Sequence, residues 1–527
     1  YSDDVYCQYA HESNAKIFQQ DGFSPLYDEG WNFETIRKEN LFLQKVGNCE
    51  MDESLRERFK AEVRAMRAWT YLGMTMTFGK VPLITEVLDY NSPNIPRDEV
   101  SVIRDFIMKE LTEAAAILPE KYAGGYPNEK GRITKYACLS LKARAALYFG
   151  DYALAESTAK EVMDKGGFSL FKISSLSDAQ KKEAEEMSLY IDFAEKGIDK
   201  DEFVKGMFNY EALWHTENAN PDNPEYIMTR QYAASSWDYQ DMTRYTSMRP
   251  NQLGGWSSVT PTQNLVDAYW GVDGHSVPQL PTPEERAKAY NQIKADLDAY
   301  QKPEGEAKFI AFCQEKIKNG TLKDYKYIQE FRNRDSRMYV SILMPFKSWY
   351  ESNYGDKFVY EWIKNGNNES KTGFNFRKML SLENDANGDG QATGDYPCIR
   401  YAEILLIYAE AHTQTTGYDA ATEAALNQLR DRCGMPDVPS GLSKEEGLKL
   451  IQNERRIELA GEGFRGDDMT RYSDDYWKEH MNNVPIMTPD GDTELTMKWS
   501  SRMRLKPIPQ TAIDLNPLLA GDQNPGY

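Results

Sequence analysis

Residues 143–159 read ARAALYFGDYALAESTA, and residues 409–425 read AEAHTQTTGYDAATEAA. Both stretches carry alanine, tyrosine, alanine and alanine at steps of nine, three and four residues, with a glycine one or two positions before the tyrosine. Small side chains at this spacing let two antiparallel helices pack closely while the tyrosine fills the turn, as in a tetratricopeptide hairpin. The copies lie far apart in the chain, so they predict one helical platform interrupted by a long insertion.

The sequence around these hairpins predicts further helices, because apolar residues recur at three- and four-residue steps until a glycine or proline. The predicted helices cover residues 54–78, 98–118, 134–149 and 152–165. Residues 168–397 differ: they are rich in Tyr, Trp, Asn, Pro and Gly, with short strand-like pieces such as 225–230. We therefore predict a mainly α fold, with a loop-rich insertion carrying short strands.

The composition excludes several functions. The chain has 62 Lys and Arg against 82 Asp and Glu, a net charge of −20, which repels the phosphates of nucleic acids. No apolar run approaches the roughly 18 residues of a membrane-spanning helix. The sequence also lacks a Gly-rich nucleotide loop, a G-x-S-x-G elbow and an HExxH zinc motif. The six scattered cysteines predict neither a zinc site nor a disulfide framework.

Two carboxylate arrangements are candidates for chemistry. Glu454, Glu458 and Glu462 share one face of a predicted helix, and a glycosidase needs only a pair of carboxylates. Arginines crowd the same stretch, so a structural ion-pair network is the favoured interpretation and a hydrolase the alternative.

The second arrangement resembles a calcium loop. It places Asp385, Asn387, Asp389 and Gln391 at ligand positions, with Gly390 at the turn. Tyr396 stands where the bidentate glutamate belongs. A structural calcium site and a plain Asx-rich turn therefore both remain open, and no cofactor is otherwise required.

Several sequence blocks, read in order, resemble the SusD/RagB family of Bacteroidetes. They include Ala65–Tyr71, Phe78–Leu83, Gly131–Lys135, Gly150–Ala153, Leu265–Tyr269, Asn333–Arg337, Ile399–Leu406, Glu454–Ala460, Pro507–Gln510 and Gln523–Tyr527. The closing block is the most specific. The resemblance runs from about residue 30 to the end and implies a SusD-like N-terminal region at 1–215 and a RagB/SusD domain at 216–527.

The resemblance implies non-catalytic capture of oligosaccharides and their delivery to a SusC-like TonB-dependent transporter. It also implies a lipoprotein on the surface of the outer membrane. The family's lipidated cysteine is not in this sequence, since Cys7 lies in Asp-Asp-Val-Tyr-Cys, which is no lipobox. Anchoring is thus implied by the resemblance alone. Oligopeptide capture for a peptide importer is the alternative function, and a pure assembly scaffold is a further one.

Aromatic residues in the insertion are the candidate ligand contacts, because they follow neither a helical nor a strand period. Sugar rings stack on such exposed aromatic faces, while polar side chains bond the hydroxyl groups. The predicted contacts are Trp237, Tyr239, Trp256, Trp349, Tyr350 and Tyr354, with Trp31 as an outside candidate.

Overall fold

The fold is taken from a computed structural model of the chain. The structure describes residues 2–89, 91–123, 129–232, 248–350, 358–380 and 394–527. Helices and strands are numbered along this described part.

Helices dominate the structure. They are α1 Ala15–Gln19, α2 Phe33–Lys45, α3 Glu53–Phe78, α4 Val100–Ile117, α5 Lys135–Tyr148, α6 Tyr152–Lys165, α7 Asp178–Glu186, α8 Phe193–Lys196, α9 Lys200–Ala212, α10 Gln263–Ala268, α11 Pro283–Ala299, α12 Lys308–Lys318, α13 Lys326–Gln329, α14 Met338–Ser341, α15 Tyr401–Thr415, α16 Ala420–Cys433, α17 Lys444–Glu458, α18 Phe464–Arg471, α19 Asp474–Met481 and α20 Gln510–Leu515.

The described strands are short and form two-stranded antiparallel sheets. They are β1 Val5–Cys7, β2 Tyr226–Arg230, β3 Val259–Pro261, β4 Ile342–Leu343, β5 Ser348–Trp349, β6 Phe358–Val359, β7 Asn375–Phe376, β8 Tyr396–Arg400, β9 Pro485–Met487 and β10 Thr493–Thr496. The pairs are β1–β3, β2–β8, β4–β7, β5–β6 and β9–β10.

The two hairpins predicted from the sequence form one platform. Hairpin α5–α6 packs against hairpin α15–α16, because α6 lies along α15 across the intervening insertion. The alanines at the repeated positions allow this approach: Ala143, Ala155, Ala159 and Ala409 are fully buried. With α3, α4 and α17 these helices enclose one of the two large hydrophobic cores. The mainly α platform is therefore confirmed.

The repeated tyrosine marks the turn of the second hairpin. Gly417 there has φ of 116°, a left-handed backbone that favours glycine. The ring of Tyr418 rests on Gly447 of α17, where a Cβ atom would stand only 2.4 Å from the ring. Tyr418 and Gly447 thus fix how α17 packs on the hairpin.

The insertion holds the second large core. That core gathers side chains from α9, α11, α12 and the short strands β4–β6. The loops and short strands of this region are predicted from the sequence, but the helices α11 and α12 are not. The division of the chain at residue 215 stays a prediction.

The N-terminal strap, residues 2–13, ties the two parts together. Its strand β1 pairs with β3, so Val5 lies opposite Pro261 and Cys7 opposite Val259. Arg465 on α18 binds Asp3, with Nε 2.9 Å from Oδ1. Arg456 on α17 also binds Asp3 and contacts Asp4. The strap therefore crosses from the platform to the loops of the insertion.

Candidate ligand-binding surface

The loop at 249–257 presents a tryptophan to solvent. The Trp256 side chain is 44% exposed, although Leu253 and Ser257 beside it are buried. Gly255 has no room for a side chain, because a Cβ atom there would lie 2.3 Å from the backbone oxygen of Arg249. The backbone N–H of Ser257 donates to the same Arg249 oxygen at 2.8 Å. This close return of the chain holds Trp256 outward.

Backbone strain follows directly after Trp256. Ser257 has φ of 45°, in the left-handed region that a non-glycine residue rarely adopts. Such strain persists only where surrounding contacts impose it, and it is enriched at ligand sites. The geometry of this loop therefore supports a functional role for the exposed indole.

Gln8 of the strap fastens the tryptophan loop to a second loop. Its side-chain amide Nε2 lies 3.1 Å from the Trp256 carbonyl oxygen, 2.8 Å from that of Ser257 and 3.2 Å from that of Glu369. Next to it, the Tyr9 hydroxyl donates to Oδ1 of Asn368 at 2.9 Å. The strap thus brings residues 249–257 and 361–369 together into one surface.

The residues joined by these contacts form what we call the Trp256 surface. They are Gln8, Tyr9, Gln252, Trp256, Glu361, Asn368 and Glu369. The side-chain oxygen of Gln252 accepts from the backbone N–H of Glu361 at 3.1 Å. Glu369 is 3% exposed, so its carboxyl lies beneath the surface, where the backbone N–H groups of Ile363 and Ser370 act on it. Burial and the neighbouring Glu361 raise the pKa of Glu369 to about 7. The surface therefore offers an exposed indole, with Gln8 and Asn368 holding the two loops to the strap and the Glu369 carboxyl buried beneath.

Three of the other predicted aromatics pack within the protein. Trp349 is 1% exposed, and the Arg377 guanidinium lies 4.8 Å from its ring centre. The Tyr350 hydroxyl donates to Glu186 at 2.5 Å. Trp31 is half-buried, with its ring 5.0 Å from that of Phe78. Trp349 is thus a core residue, and the ring of Trp31 serves the contact between α3 and the C-terminal segment.

The remaining predicted residues lie outside the described part of the chain. They are Trp237, Tyr239, Tyr354, Asp385, Asn387, Asp389 and Gln391. Their contact with a ligand or with calcium stays a prediction. The described residues contain no cluster of three or more His, Cys, Asp or Glu side chains placed to hold a metal ion.

Sequence reasoning missed Gln8 and Glu369 as members of the surface. Neither residue lies near Trp256 in the chain, and only the folded strap and loops bring them together. The adjacent pair Gly254–Gly255 before Trp256 was the available signal, because paired glycines mark a turn in which the backbone approaches itself closely.

Glu454 and Glu458 on α17, with Glu462 just beyond the end of that helix, belong to a closed ion-pair network. Glu454, Glu458 and Glu462 are buried, and each lies within salt-bridge distance of one or more cations. The cations are Arg337, Lys378, Arg400, Arg430 and Arg432. Burial alone would raise the pKa of Glu458, but Arg432, Arg400 and Arg337 hold it well below its usual range. The structure therefore shows the ion-pair network that the sequence analysis favoured.

The described helices include none that is both long enough and apolar enough to cross a lipid bilayer.

A platform of helical hairpins with a loop-rich insertion defines the SusD-like fold, and solved structures share it. A SusD-like protein from Bacteroides fragilis superposes with a TM-score of 0.75 at 24% identity, covering 100% of this chain and 92% of that one. A SusD-like carbohydrate-binding protein from the same species gives 0.67 at 20% identity, with 98% and 91% covered. A laminarin-binding SusD-like protein gives 0.60 at 21% identity, with 100% and 92% covered.

Sequence comparison assigns the family. Residues 224–527, more than half of the chain, match the SusD/RagB model of the SusD family. The chain belongs to the SusD family. SusD-like protein P38 of Formosa agariphila is 22% identical over 475 residues, covering 87% of this chain and 73% of that protein. SusD-like protein P2 of the same organism is 29% identical over 148 residues, 27% of this chain and 28% of that protein.

Proposed function

We propose that this protein binds oligosaccharides at the Trp256 surface without catalysing a reaction. The observation that carries the proposal is the exposed indole on a loop whose backbone is fixed from both sides. A sugar ring packs its C–H face on such an indole, and the amides and carboxyl groups beside it bond the hydroxyl groups. A rigid loop also lowers the entropy cost of binding, since it is ordered before the ligand arrives.

Two similar structures support a glycan as the ligand. One is described as a carbohydrate-binding SusD-like protein and the other as a laminarin-binding one. Both are below 25% identity to this chain, so their ligands guide the choice of probe and do not assign the ligand. Laminarin oligosaccharides are therefore the first sugars to test.

The absence of catalysis is proposed from the state of the α17 carboxylates. A glycosidase acid needs a proton near neutral pH, and its partner carboxylate must face substrate. Glu454 and Glu458 are instead buried and held by arginines. The low pKa of Glu458 leaves no proton to donate to a leaving group.

Delivery to a transporter completes the proposal. Membership of the SusD family supports a role beside a SusC-like TonB-dependent transporter, at the outer-membrane surface and behind a lipid anchor. Affinity purification of the protein from its native outer membrane tests this part. Recovery of a stoichiometric TonB-dependent transporter is expected, and recovery of the protein alone under mild detergent argues against it.

Isothermal titration tests ligand capture. The probes are laminarin oligosaccharides, other soluble oligosaccharides and mixed oligopeptides, titrated into the native protein and Trp256→Ala. Phe42→Ala is a matched control, because Phe42 is a similarly exposed aromatic, at 37%, on α2. Saturable sugar binding that weakens tenfold or more in Trp256→Ala alone is expected. Sugar binding unchanged by Trp256→Ala, or binding of peptides only at this surface, overturns the proposal.

A further inference from the structure

The second loop of the Trp256 surface, residues 361–369, is fastened at its two ends. Its first and last residues, Glu361 and Glu369, are bonded from the tryptophan loop and from the strap. Between these ends the chain turns, with Asn365 and Asn368 at φ of 56° and 53° in the left-handed region. Such backbone conformations persist where surrounding contacts impose them. Contacts to the middle of the loop therefore decide its conformation.

Lys364, in the middle of this loop, reaches the hairpin β9–β10. Its Nζ lies 2.5 Å from Oδ2 of Asp490 and 2.7 Å from Oδ2 of Asp492, both in the turn between the two strands. Thr488 fixes that turn, because its hydroxyl donates to Oδ1 of Asp490 at 2.6 Å and accepts from the backbone N–H of Asp492 at 2.9 Å. The turn thus presents two carboxylates to one ammonium group.

The chain meets the same turn again just beyond the loop. Gly373 has φ of 84°, and a Cβ atom there would lie 2.1 Å from Cγ of Pro489. Glycine alone fits so close an approach in this backbone conformation. The hairpin therefore contacts the segment 361–373 at two points, through an ion pair at Lys364 and through close packing at Gly373.

The hairpin is itself fixed to the body of the protein. Its strands bury Ile486 and Leu495 in a small core with side chains of α18 and α19. The turn also approaches α11, since a Cβ atom at Gly491 would lie 2.8 Å from that of Ala287. A hairpin anchored on two sides can hold the loop in place, whereas a free hairpin would move with it.

The Lys364 contact is an ion pair at the edge of the solvent. The side chain of Lys364 is 42% exposed and that of Asp490 is 15% exposed. Hydrogen bonds to Asp490 and Asp492 raise the pKa of Lys364, so its ammonium group is charged at neutral pH. Attraction between charges near solvent weakens as salt rises, whereas a neutral sugar on an indole involves no ion pair. A sugar affinity that depends on salt is therefore the signature of a site held by this contact.

We propose that Lys364 is a positioning residue of the Trp256 surface. By binding Asp490 and Asp492 it fixes residues 361–369 against the β9–β10 hairpin, so that this loop stands beside Trp256 before a sugar arrives. The inference rests on the sugar-binding function proposed above, and Lys364 acts in it without contacting the sugar. The surface is then assembled from the strap, the two loops of the insertion and a hairpin that follows them late in the chain.

Titration at two salt concentrations tests the role of Lys364. Laminarin oligosaccharides are titrated into the native protein, Lys364→Met and Lys364→Arg at about 0.01 M and about 1 M salt, where the Debye length is about 30 Å and about 3 Å. Lys364→Met should weaken binding about twofold to fivefold at low salt, the range that exposed ion pairs give. Lys364→Arg keeps the charge and should retain the native affinity. At high salt the native affinity should fall towards that of Lys364→Met.

Two further sets of variants isolate the contact. Asp490→Asn combined with Asp492→Asn should weaken sugar binding by the same factor as Lys364→Met. Adding Lys364→Met to this pair should weaken it no further, because the three side chains act through one contact. Lys160→Met is the matched control, since the side chain of Lys160 is 48% exposed and its Nζ lies 2.5 Å from Oδ1 of Asp164 on α6. This variant should bind sugar with the native affinity at both salt concentrations.

Hydrogen exchange gives a readout that needs no sugar. The amides of residues 361–373 should exchange faster in Lys364→Met than in the native protein, and at the native rate in Lys364→Arg and Lys160→Met. Unchanged exchange in Lys364→Met overturns the proposal, and so does faster exchange with an unchanged sugar affinity. If the native protein binds no sugar, the proposed function is overturned, and the exchange rates alone then decide whether Lys364 fixes the loop.

Discussion

The carboxylates of Glu454, Glu458 and Glu462 and the indole of Trp256 are both groups that can bind a sugar, yet only the indole is exposed to solvent. Every carboxylate of Glu454, Glu458 and Glu462 is buried against arginine or lysine, so nothing remains for a ligand. Trp256 is 44% exposed to solvent, next to a glycine at which a Cβ atom would meet the Arg249 backbone. Residue type alone does not separate a scaffold from a site. A scaffold and a binding site differ in whether the groups that each side chain contacts lie inside the protein.

Disrupting the buried ion-pair network should have the largest effect on the free energy of unfolding. Glu458→Ala leaves Arg400, Arg432 and Arg337 buried without their shared carboxylate, and loss of one member of a buried ion pair costs about 3–5 kcal/mol. Urea unfolding measures the change in the free energy of unfolding. Glu445→Ala on the exposed side of α17 is the control and should change it by less than about 0.5 kcal/mol.

The same variant distinguishes the scaffold from the hydrolase hypothesis. A Glu458→Ala protein that stays as stable as the native chain but loses a measured hydrolytic activity would give α17 a catalytic role. Glu458 would then belong to an active site and not to the scaffold.

Gly255→Ala alters the turn that holds Trp256 outward. The added methyl group must displace the backbone at Arg249, and overpacking of this kind costs about 1–3 kcal/mol. The loop that carries Trp256 should shift, so sugar affinity should fall at least tenfold. Titration and thermal unfolding check both effects. Gly47→Ala, at a glycine with nothing within 4 Å of the added methyl, should leave affinity unchanged.

Gln8→Ala should have a smaller effect on the same surface. It removes an amide that bonds three carbonyl oxygens, and a net hydrogen bond contributes about 0.5–1.5 kcal/mol. Sugar affinity should fall by roughly threefold to tenfold, the range that such an energy gives. Gln20→Ala, at an exposed glutamine outside the surface, is the control. An affinity equal to that of the native protein would show that the strap does not position Trp256.

His412 is partly buried. Its contribution to stability is expected to be the smallest of those considered and to depend on pH. Burial alone would lower its pKa, but hydrogen bonds to Glu156 and Asp419 outweigh this and raise the pKa above 6.5. The protonated form is thus favoured in the folded state. Its stabilisation is full below pH 6.5 and is lost as the pH rises through the raised value.

Unfolding at a series of pH values between 5.5 and 8.5 measures the His412 effect. The native protein should lose stability relative to His412→Gln across the upper part of this range. Parallel curves for the two proteins would show that the Glu156–His412–Asp419 contact contributes no proton-linked stability.

Local sequence patterns predicted the platform well, because its helices are encoded by nearby residues. Helix α6 was predicted with the bounds it has, and α3 begins one residue earlier, after the Asp52 cap. The helices α11 and α12 were missed, although Thr282, Pro283 and Glu285 form a capping box that opens α11. The sequence around these helices has the composition of loops, and the prediction followed that composition instead of the capping box.

The candidate site was harder to predict, because exposure depends on contacts between distant parts of the chain. Trp256 and Trp349 lie in similar aromatic, polar stretches, yet one reaches solvent and the other is 1% exposed. Trp349 is buried by Arg377 and by strand β6, which no pattern around residue 349 reveals.

The contacts of the strap determine how tension on the N-terminus is transmitted through the molecule. Asp3 and Asp4 form ion pairs with Arg456 and Arg465, and these residues precede Gln8 in the chain. Force applied ahead of residue 3 therefore loads these ion pairs and the rigid helices α17 and α18 first. The Trp256 loop carries no tension until those ion pairs break. Tension on the N-terminus is therefore borne by these ion pairs before it reaches the Trp256 surface.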